Sequence, residues 1–127
     1  MLQIAEWCAD RVRASTYVHD GKTQWYAPSL AGASTLAAAL YKPDVYAGVL
    51  DVLGRLDEDD YAAYLKGFMR RGMARFGESW RYADICTVLY VLADLLGVES
   101  YLEIGVRRGR SLAMVLDRRP SADVVSF

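Results

Sequence analysis

Hydrophobic residues recur at helical spacing over most of this chain. The spacing predicts amphipathic helices over residues 1–14, 30–41, 45–56, 57–76 and 80–96. The last of these is apolar around most of its circumference, so we expect it to be buried. Gly77 and Gly97 follow two of the segments and are expected to end those helices.

The acidic run Asp57–Asp60 marks the clearest helix start, with a capping residue followed by acids in the first turn. Gly67 and Gly72 weaken this helix, which predicts close contact with a neighbour. Consecutive carboxylates point in different directions around a helix, so no metal site is predicted here. The expected buried stripe consists of Tyr61, Tyr64, Leu65, Phe68, Met69 and Phe76.

Two segments have β-type patterns. Residues 16–26 place two short β-prone runs around Asp20-Gly21, which predicts a hairpin. In residues 101–106, Leu102 and Ile104 belong to a short apolar run typical of a strand covered on both faces.

A glycine-containing turn follows this strand, and then a helix that opens at Ser111 and ends before Pro120. A second apolar strand is predicted over 122–127, so residues 99–127 read as one βαβ unit. Two parallel strands do not make an independently stable sheet. We therefore expect further strands after residue 127 in a longer parent chain, or strands from another chain.

Composition narrows the functional classes. The 127 residues are 54% hydrophobic and 24% charged, which is typical of a soluble globular protein. The net charge of −1 provides no field that would attract nucleic acid or an acidic membrane. No apolar stretch is long enough to span a bilayer and no secretory signal is visible, so we expect a cytoplasmic protein. Cys8 and Cys86 are predicted to be buried free thiols.

The turn between the strand and the following helix is the best candidate for a ligand site, because free backbone N–H groups and the helix dipole face the same point there. A dinucleotide fingerprint requires glycine where Arg107 stands. A P-loop requires lysine where Arg110 stands. Both phosphate-binding patterns therefore fail on a specific residue. Arg107, Arg108 and Arg110 are expected to be solvated loop charges.

The sequence Leu-Glu-Ile-Gly-Val-Arg-Arg-Gly-Arg-Ser over residues 102–111 resembles motif I of the class I S-adenosylmethionine-dependent methyltransferases. Its form, E-x-G-x-x-x-G-x-S, is common in small-molecule O-methyltransferases and in the cephalosporin-hydroxylase-like group. The resemblance covers about residues 80–127. It implies that Glu103 meets the methionine ammonium, that Gly105 and Gly109 let the backbone approach the cofactor, and that Ser111 binds the methionine carboxylate. These roles also suit the charges involved.

The resemblance implies an α/β protein with a helical region over residues 1–79 and the opening of a Rossmann-like methyltransferase domain over residues 80–127. The implied activity is methyl transfer from S-adenosylmethionine to a small-molecule acceptor. The helical region would cover the substrate or form a homodimer interface. The family's ribose-binding acid would follow residue 127, and no catalytic base is identified. Two alternatives stay open: a non-catalytic helical interaction module, and a hydroxylase-like enzyme on the same fold.

Overall fold

The computed structural model describes residues 18–19, 22–23 and 31–127, and the chain divides into two compact units, Met1–Ala38 and Ala39–Phe127. In the first unit, strands β1 (Val18–His19) and β2 (Lys22–Thr23) pair antiparallel, within the segment where a hairpin is expected. The helix predicted over residues 1–14 and Cys8 lie outside the described residues. Helix α1 spans Ala33–Leu40.

The second unit is mainly helical and contains a two-stranded parallel sheet, so the described chain is α/β in the coarse sense. After α1, its elements are α2 (Pro43–Arg55), α3 (Asp60–Phe76), a 3₁₀ turn (Gly77–Ser79), α4 (Ile85–Leu95), β3 (Ser100–Glu103), α5 (Arg110–Arg118) and β4 (Asp123–Ser126). Among the described residues, no helix combines the length and the apolar character needed to cross a membrane.

Strands β3 and β4 form the βαβ unit predicted from the sequence, with α5 as the crossover helix. Their parallel register pairs Ser100 with Asp123 and Glu103 with Ser126. The pairing continues past the strand ends, where the Gly105 N–H donates to the Phe127 carbonyl at 3.0 Å. This register holds the turn after β3 at the carboxyl end of the sheet.

The core forms where α2 meets α3, α4 and α5. Helices on both sides of residue 79 therefore share one core, within a single compact unit. Its largest fully buried side chains are those of Leu53, Met69, Met114, Val49, Val115 and Thr87.

One face of the sheet is exposed, and the prediction of a strand covered on both faces is wrong for the described residues. Leu102 and Ile104 are 61% and 81% exposed. Val125, which pairs with Leu102, is also exposed, whereas Tyr101 and Val124 on the opposite face are half-buried. The alternating pattern arises because no element of the described chain covers the second face.

The aromatic stripe predicted for α3 is wrong in part. Leu65 and Met69 are buried as expected, but Tyr61, Tyr64 and Phe76 are at least half exposed. The buried seam of α3 is a narrow one that includes small residues, at the positions Ala62, Leu65, Met69 and Gly72. Such a seam brings the α3 backbone close to its neighbours and leaves the larger rings at its margins.

Two helix starts differ from the predictions. The N-cap of α3 is Asp59 rather than Asp57, and its carboxylate accepts the Ala62 N–H at 2.8 Å. Helix α4 begins at Ile85 rather than near Trp80, because Asp84 and Thr87 form a capping box there. Gly77 ends α3 with a φ of 54° and donates its N–H to the Met73 carbonyl, which confirms the predicted C-cap.

The residues before α4 form an aromatic cluster instead of a helical turn. The Trp80 and Tyr82 rings stack with their centroids 5.2 Å apart, and the Tyr46 hydroxyl donates to the Tyr82 carbonyl at 3.2 Å. Trp80 explains Gly72, since a Cβ at that glycine would overlap the indole ring. Gly67 has only the end of the Arg71 side chain nearby, so close packing accounts for Gly72 and not for Gly67.

Candidate functional site

The turn between β3 and α5 depends on two glycines with left-handed backbone angles. Gly105 has a φ of 90° and Gly109, the N-cap of α5, has a φ of 66°. Such angles strongly favour glycine because a Cβ would meet the backbone. A Cβ at either position would have no other heavy atom within 4 Å, so the space beside this backbone is open. Backbone conformation, rather than packing within the chain, therefore requires these glycines.

The structure brings together two of the residues that the sequence predicts as site residues. Glu103 ends β3, and one oxygen of its carboxylate accepts the hydroxyl hydrogen of Ser111, in the first turn of α5. The other oxygen accepts the Tyr101 hydroxyl at 3.1 Å. Glu103 is half-buried, as is Ser111. The carboxylate is thus held in a fixed orientation at the mouth of the turn.

Tyr101 also belongs to this arrangement and was not predicted from the sequence. Partial burial, followed by the hydrogen bond to Glu103, raises the pKa of Tyr101 to about 12. Its hydroxyl therefore remains a donor to the carboxylate at neutral pH. The available signal was its position two residues before Glu103, which places both side chains on the same face of β3.

The N-terminus of α5 presents backbone donors at the same turn. The first N–H groups of an α-helix have no acceptor within the helix. In α5 the Ala113 N–H is bonded to the Gly109 carbonyl at 2.8 Å, and Gly109 has no side chain that could cap the N–H groups before it. The helix dipole adds partial positive charge at this end. An anionic group at the turn would meet these donors beside Ser111.

Cys86 lies in the first turn of α4 and is a buried free thiol, as predicted. Burial is the main cause that raises its pKa to about 11, and the Asp84 charge adds to it. The charges of Glu103 and Arg110 also act on this thiol, in opposite directions. The thiol is therefore neutral near pH 7 and a poor nucleophile.

Arg110 is not the solvated loop charge expected from the sequence, whereas Arg107 and Arg108 are exposed as expected. The Arg110 guanidinium lies 2.5 Å from the Asp59 carboxylate, and its side chain is only 17% exposed. The Arg108 Nε lies 3.3 Å from the same Asp59 oxygen. The hydrogen bond from the Ala62 N–H, followed by that from Arg110, lowers the pKa of Asp59 below its usual value.

Tyr61 completes the surroundings of Arg110, whose guanidinium carbon lies 5.2 Å from the Tyr61 ring centroid. A cation–π contact and an ion pair therefore act on the same guanidinium group. The role of Asp59 and Tyr61 was not predictable, because both precede the turn by about fifty residues. The described residues contain no group of three or more side chains that could hold a metal ion.

Comparison with known proteins gives no match. No family model matches the chain, and neither the curated proteins nor the solved structures contain one that is significantly similar to it.

Proposed function

We propose that the segment Ser100–Arg118 binds the amino-acid end of S-adenosylmethionine, as part of a Rossmann-like domain, and that the protein transfers a methyl group to a small-molecule acceptor. One observation carries the proposal. The Glu103 carboxylate lies against Ser111 in the first turn of α5, across a turn that contains two left-handed glycines. This arrangement offers an anionic group and a set of donors side by side, which is what a zwitterion requires.

The residues of the turn fit both charges of an amino-acid tail. Glu103 accepts one hydrogen bond on each oxygen, and a carboxylate has further lone pairs that can accept from an ammonium group. The free N–H groups at the start of α5 suit the carboxylate of the tail. The open space beside Gly105 and Gly109 lets a ligand lie against the backbone.

Ser111 has one hydroxyl hydrogen, and this hydrogen is bonded to Glu103 in the structure. The Ser111 hydroxyl would be free to donate to the ligand carboxylate if Glu103 accepted the ammonium group in its place. Tyr101 keeps its hydrogen bond to the second oxygen and so keeps the carboxylate in position. The site thus exchanges one internal hydrogen bond for two contacts with the ligand.

When bound, S-adenosylmethionine supplies an electrophilic methyl group on a sulfonium sulfur. The task of the chain is therefore to hold the donor in line with the acceptor nucleophile. Glu103, Ser111 and the N–H groups of α5 fix one end of the donor, and no residue is assigned as a catalytic base.

The test is an NMR titration of the ¹⁵N-labelled 127-residue chain with S-adenosylhomocysteine, which has the same amino-acid tail. We expect saturable shifts of the backbone amides over residues 105–112. Glu103→Gln should weaken binding by about tenfold or more, because it removes a charge-assisted hydrogen bond. Glu99→Gln is the matched control, since Glu99 is exposed and lies before β3.

AMP and inorganic phosphate serve as competing probes in the same titration. If either moves the turn amides while S-adenosylhomocysteine does not, the turn is a phosphate site and the proposal is wrong. Equal binding of S-adenosylhomocysteine to the wild type and to Glu103→Gln would also contradict it, because the ammonium contact would then be absent.

A further inference from the structure

A cavity of about 350 Å³ opens beside the turn, between the start of α3 and the residues that precede α5. We propose that this cavity binds a small planar anion, specifically an aromatic carboxylate. The cavity is lined by Asp59, Asp60, Tyr61, Arg107 and Arg110.

The charges around the cavity favour an anion. Asp59 already pairs with two guanidinium groups, those of Arg108 and Arg110. Arg107 makes no ion pair or hydrogen bond with any residue that the structure describes, so its charge is available to a ligand. The two carboxylates and two guanidinium groups that line the cavity sum to zero, and Arg108, which lies outside the lining, adds one positive charge through its contact with Asp59.

The position of Asp60 strengthens this argument. Asp60 is the first residue of α3, where the positive end of the helix dipole offsets part of its negative charge. Its repulsion of an incoming anion is thereby reduced, and the excess positive charge belongs to Arg107. A guanidinium group with free N–H donors in a plane matches a carboxylate in a bidentate arrangement.

The aromatic part of the ligand follows from Tyr61. This ring is 58% exposed, although Arg110 lies 5.2 Å from its centroid. An exposed ring at the wall of a cavity offers a surface on which a second ring packs in an offset-stacked or edge-to-face geometry. The cavity is at the small end of the range of ligand sites, which suits a ligand with a single ring.

One wall of the site is held in place before a ligand arrives. One oxygen of Asp59 caps α3 through the Ala62 N–H, while the other holds Arg110 at 2.5 Å. Arg110 therefore has little freedom to lose on binding, which lowers the entropic cost of association at this wall, whereas the exposed Arg107 side chain becomes ordered when the ligand binds. Loss of the Asp59 charge should loosen Arg110.

The cavity adjoins the proposed cofactor site, because Arg107 and Arg110 belong to the same turn as Gly109 and Ser111. We therefore assign the cavity as the acceptor subsite. This assignment rests on the proposed function, whereas the binding of an aromatic carboxylate does not.

The experiment is an NMR titration of the labelled full chain with benzoate. We expect shifts of the amides of Tyr61 and of residues 107–110. Benzyl alcohol, which lacks the charge, and cyclohexanecarboxylate, which lacks the aromatic ring, should each bind at least about fivefold more weakly. Equal affinity of cyclohexanecarboxylate and benzoate would overturn the aromatic specificity, and shifts with inorganic phosphate at lower concentration than with benzoate would overturn the carboxylate assignment.

Substitutions distinguish binding of benzoate in this cavity from non-specific attraction of the anion to surface arginines. Arg107→Gln should weaken benzoate binding by about tenfold, whereas Arg70→Gln, at an exposed position on α3 outside the cavity, should leave it unchanged. Tyr61→Leu should weaken benzoate but not cyclohexanecarboxylate, and circular dichroism should confirm an unchanged fold because Tyr61 is exposed. Equal losses of benzoate affinity in Arg107→Gln and Arg70→Gln would overturn the assignment of this cavity as the binding site.

The two proposals fail independently. Glu103→Gln should reduce the affinity for S-adenosylhomocysteine and leave that for benzoate unchanged. Binding of benzoate without any binding of S-adenosylhomocysteine supports the carboxylate site and overturns its assignment as an acceptor subsite. Binding of S-adenosylhomocysteine without benzoate overturns the carboxylate site and leaves the cofactor proposal intact.

Discussion

Asp59 and Arg110 are 51 residues apart in the sequence, and their carboxylate and guanidinium groups lie 2.5 Å apart in the fold. Asp59 is the N-cap of α3, and Arg110 is the first residue of α5. The Asp59 carboxylate therefore lies beside the N-termini of α3 and α5 and contacts two guanidinium groups, those of Arg110 and Arg108. This contact fixes the glycine turn against α3, so the helix lies beside the candidate ligand site.

Substitution of Asp59 separates its two roles. Asp59→Asn keeps a side-chain oxygen for the Ala62 N–H but loses the charge that attracts Arg110. Asp59→Ala loses both interactions. We expect the melting temperature to be highest for the wild type, lower for Asp59→Asn and lowest for Asp59→Ala. Both substitutions remove the charge that attracts Arg110, so both should shift the amides of residues 107–110. Asp57→Asn is the control, because Asp57 is exposed, lies before α3 and pairs with no residue in the described part of the chain.

The pKa of Asp59 predicts how this effect depends on pH. Its pKa in the folded chain is lower than the ordinary 3.8, first because of the Ala62 N–H and then because of Arg110. A carboxylate with a lowered pKa stabilises the fold above the ordinary value, and this stabilisation disappears as the pH falls through the folded-state value. The difference in melting temperature between wild type and Asp59→Asn should therefore be constant near neutrality and shrink below pH 3.8. A difference that does not change with pH would contradict the ion pair.

Gly109 allows the conformational role of a glycine to be separated from its role in ligand approach. Gly109→Ala should lower the free energy of unfolding by about 1–2 kcal/mol, because alanine is strained at a φ of 66°. Asparagine tolerates this conformation and is a good N-cap, so Gly109→Asn should unfold close to the wild type. Its side chain would nevertheless enter the open space beside the turn.

Urea unfolding and the titration with S-adenosylhomocysteine together test this separation. If Gly109→Asn folds normally and loses binding, the open space is needed by the ligand. If it folds normally and binds as the wild type does, the glycine is needed only for the conformation of the turn. The prediction that Gly109 lets the backbone approach the cofactor closely would then be wrong.

The sequence was most informative where the pattern was local. The parallel strands and the crossover helix were predictable because Leu102, Ile104 and the following glycines form a short, sequential signal. The C-cap at Gly77 was predictable for the same reason. The hydrogen bond between Glu103 and Ser111 spans eight residues within that unit; the motif assigned both residues to one ligand but did not predict their bond to each other.

Long-range packing explains the failures. The exposure of Tyr61 depends on which neighbour α3 packs against, and the small residues Ala62 and Gly72 decide this rather than the rings. The start of α4 depends on Asp84 and Thr87, whose capping box competes with an earlier start near Trp80. The ion pair of Asp59 with Arg110 arises from tertiary structure and has no signal in periodicity.

A matched pair of glycine substitutions tests the packing of α3. Gly72→Ala places a Cβ against the Trp80 ring and should lower the free energy of unfolding by about 1–3 kcal/mol, since rigid aromatic packing must shift. Gly54→Ala lies at an exposed position of α2, where the new Cβ has no atom within 4 Å apart from the backbone of its own helix, and it should raise the free energy of unfolding by about 0.5–1 kcal/mol. Both values follow from urea unfolding monitored by circular dichroism. Equal effects of the two substitutions would show that Gly72 is not in contact with Trp80.

Cys86 should react slowly in the folded protein. Burial, and then the Asp84 charge, raises its pKa to about 11, so at pH 8 about one thiol in a thousand is ionised. In a Cys8→Ser background, where Cys86 is the remaining cysteine, alkylation by iodoacetamide at pH 8 should be far slower in the native protein than in guanidinium chloride. The native rate should continue to rise with pH up to about 11.

Asp84→Asn tests the electrostatic part of this shift. Asparagine retains a side-chain oxygen for the Thr87 N–H, so α4 keeps its cap while the nearby negative charge is removed. The pKa of Cys86 should fall towards its ordinary value, and alkylation at pH 8 should accelerate without a matching loss in melting temperature. A raised thiol pKa stabilises the fold below the ordinary value of 9.0, and this stabilisation is lost as the pH rises towards 11. Cys86→Ala has no thiol to ionise, so its free energy of unfolding should fall less over this pH range than that of the wild type. Native alkylation at the unfolded rate would contradict the burial of this thiol.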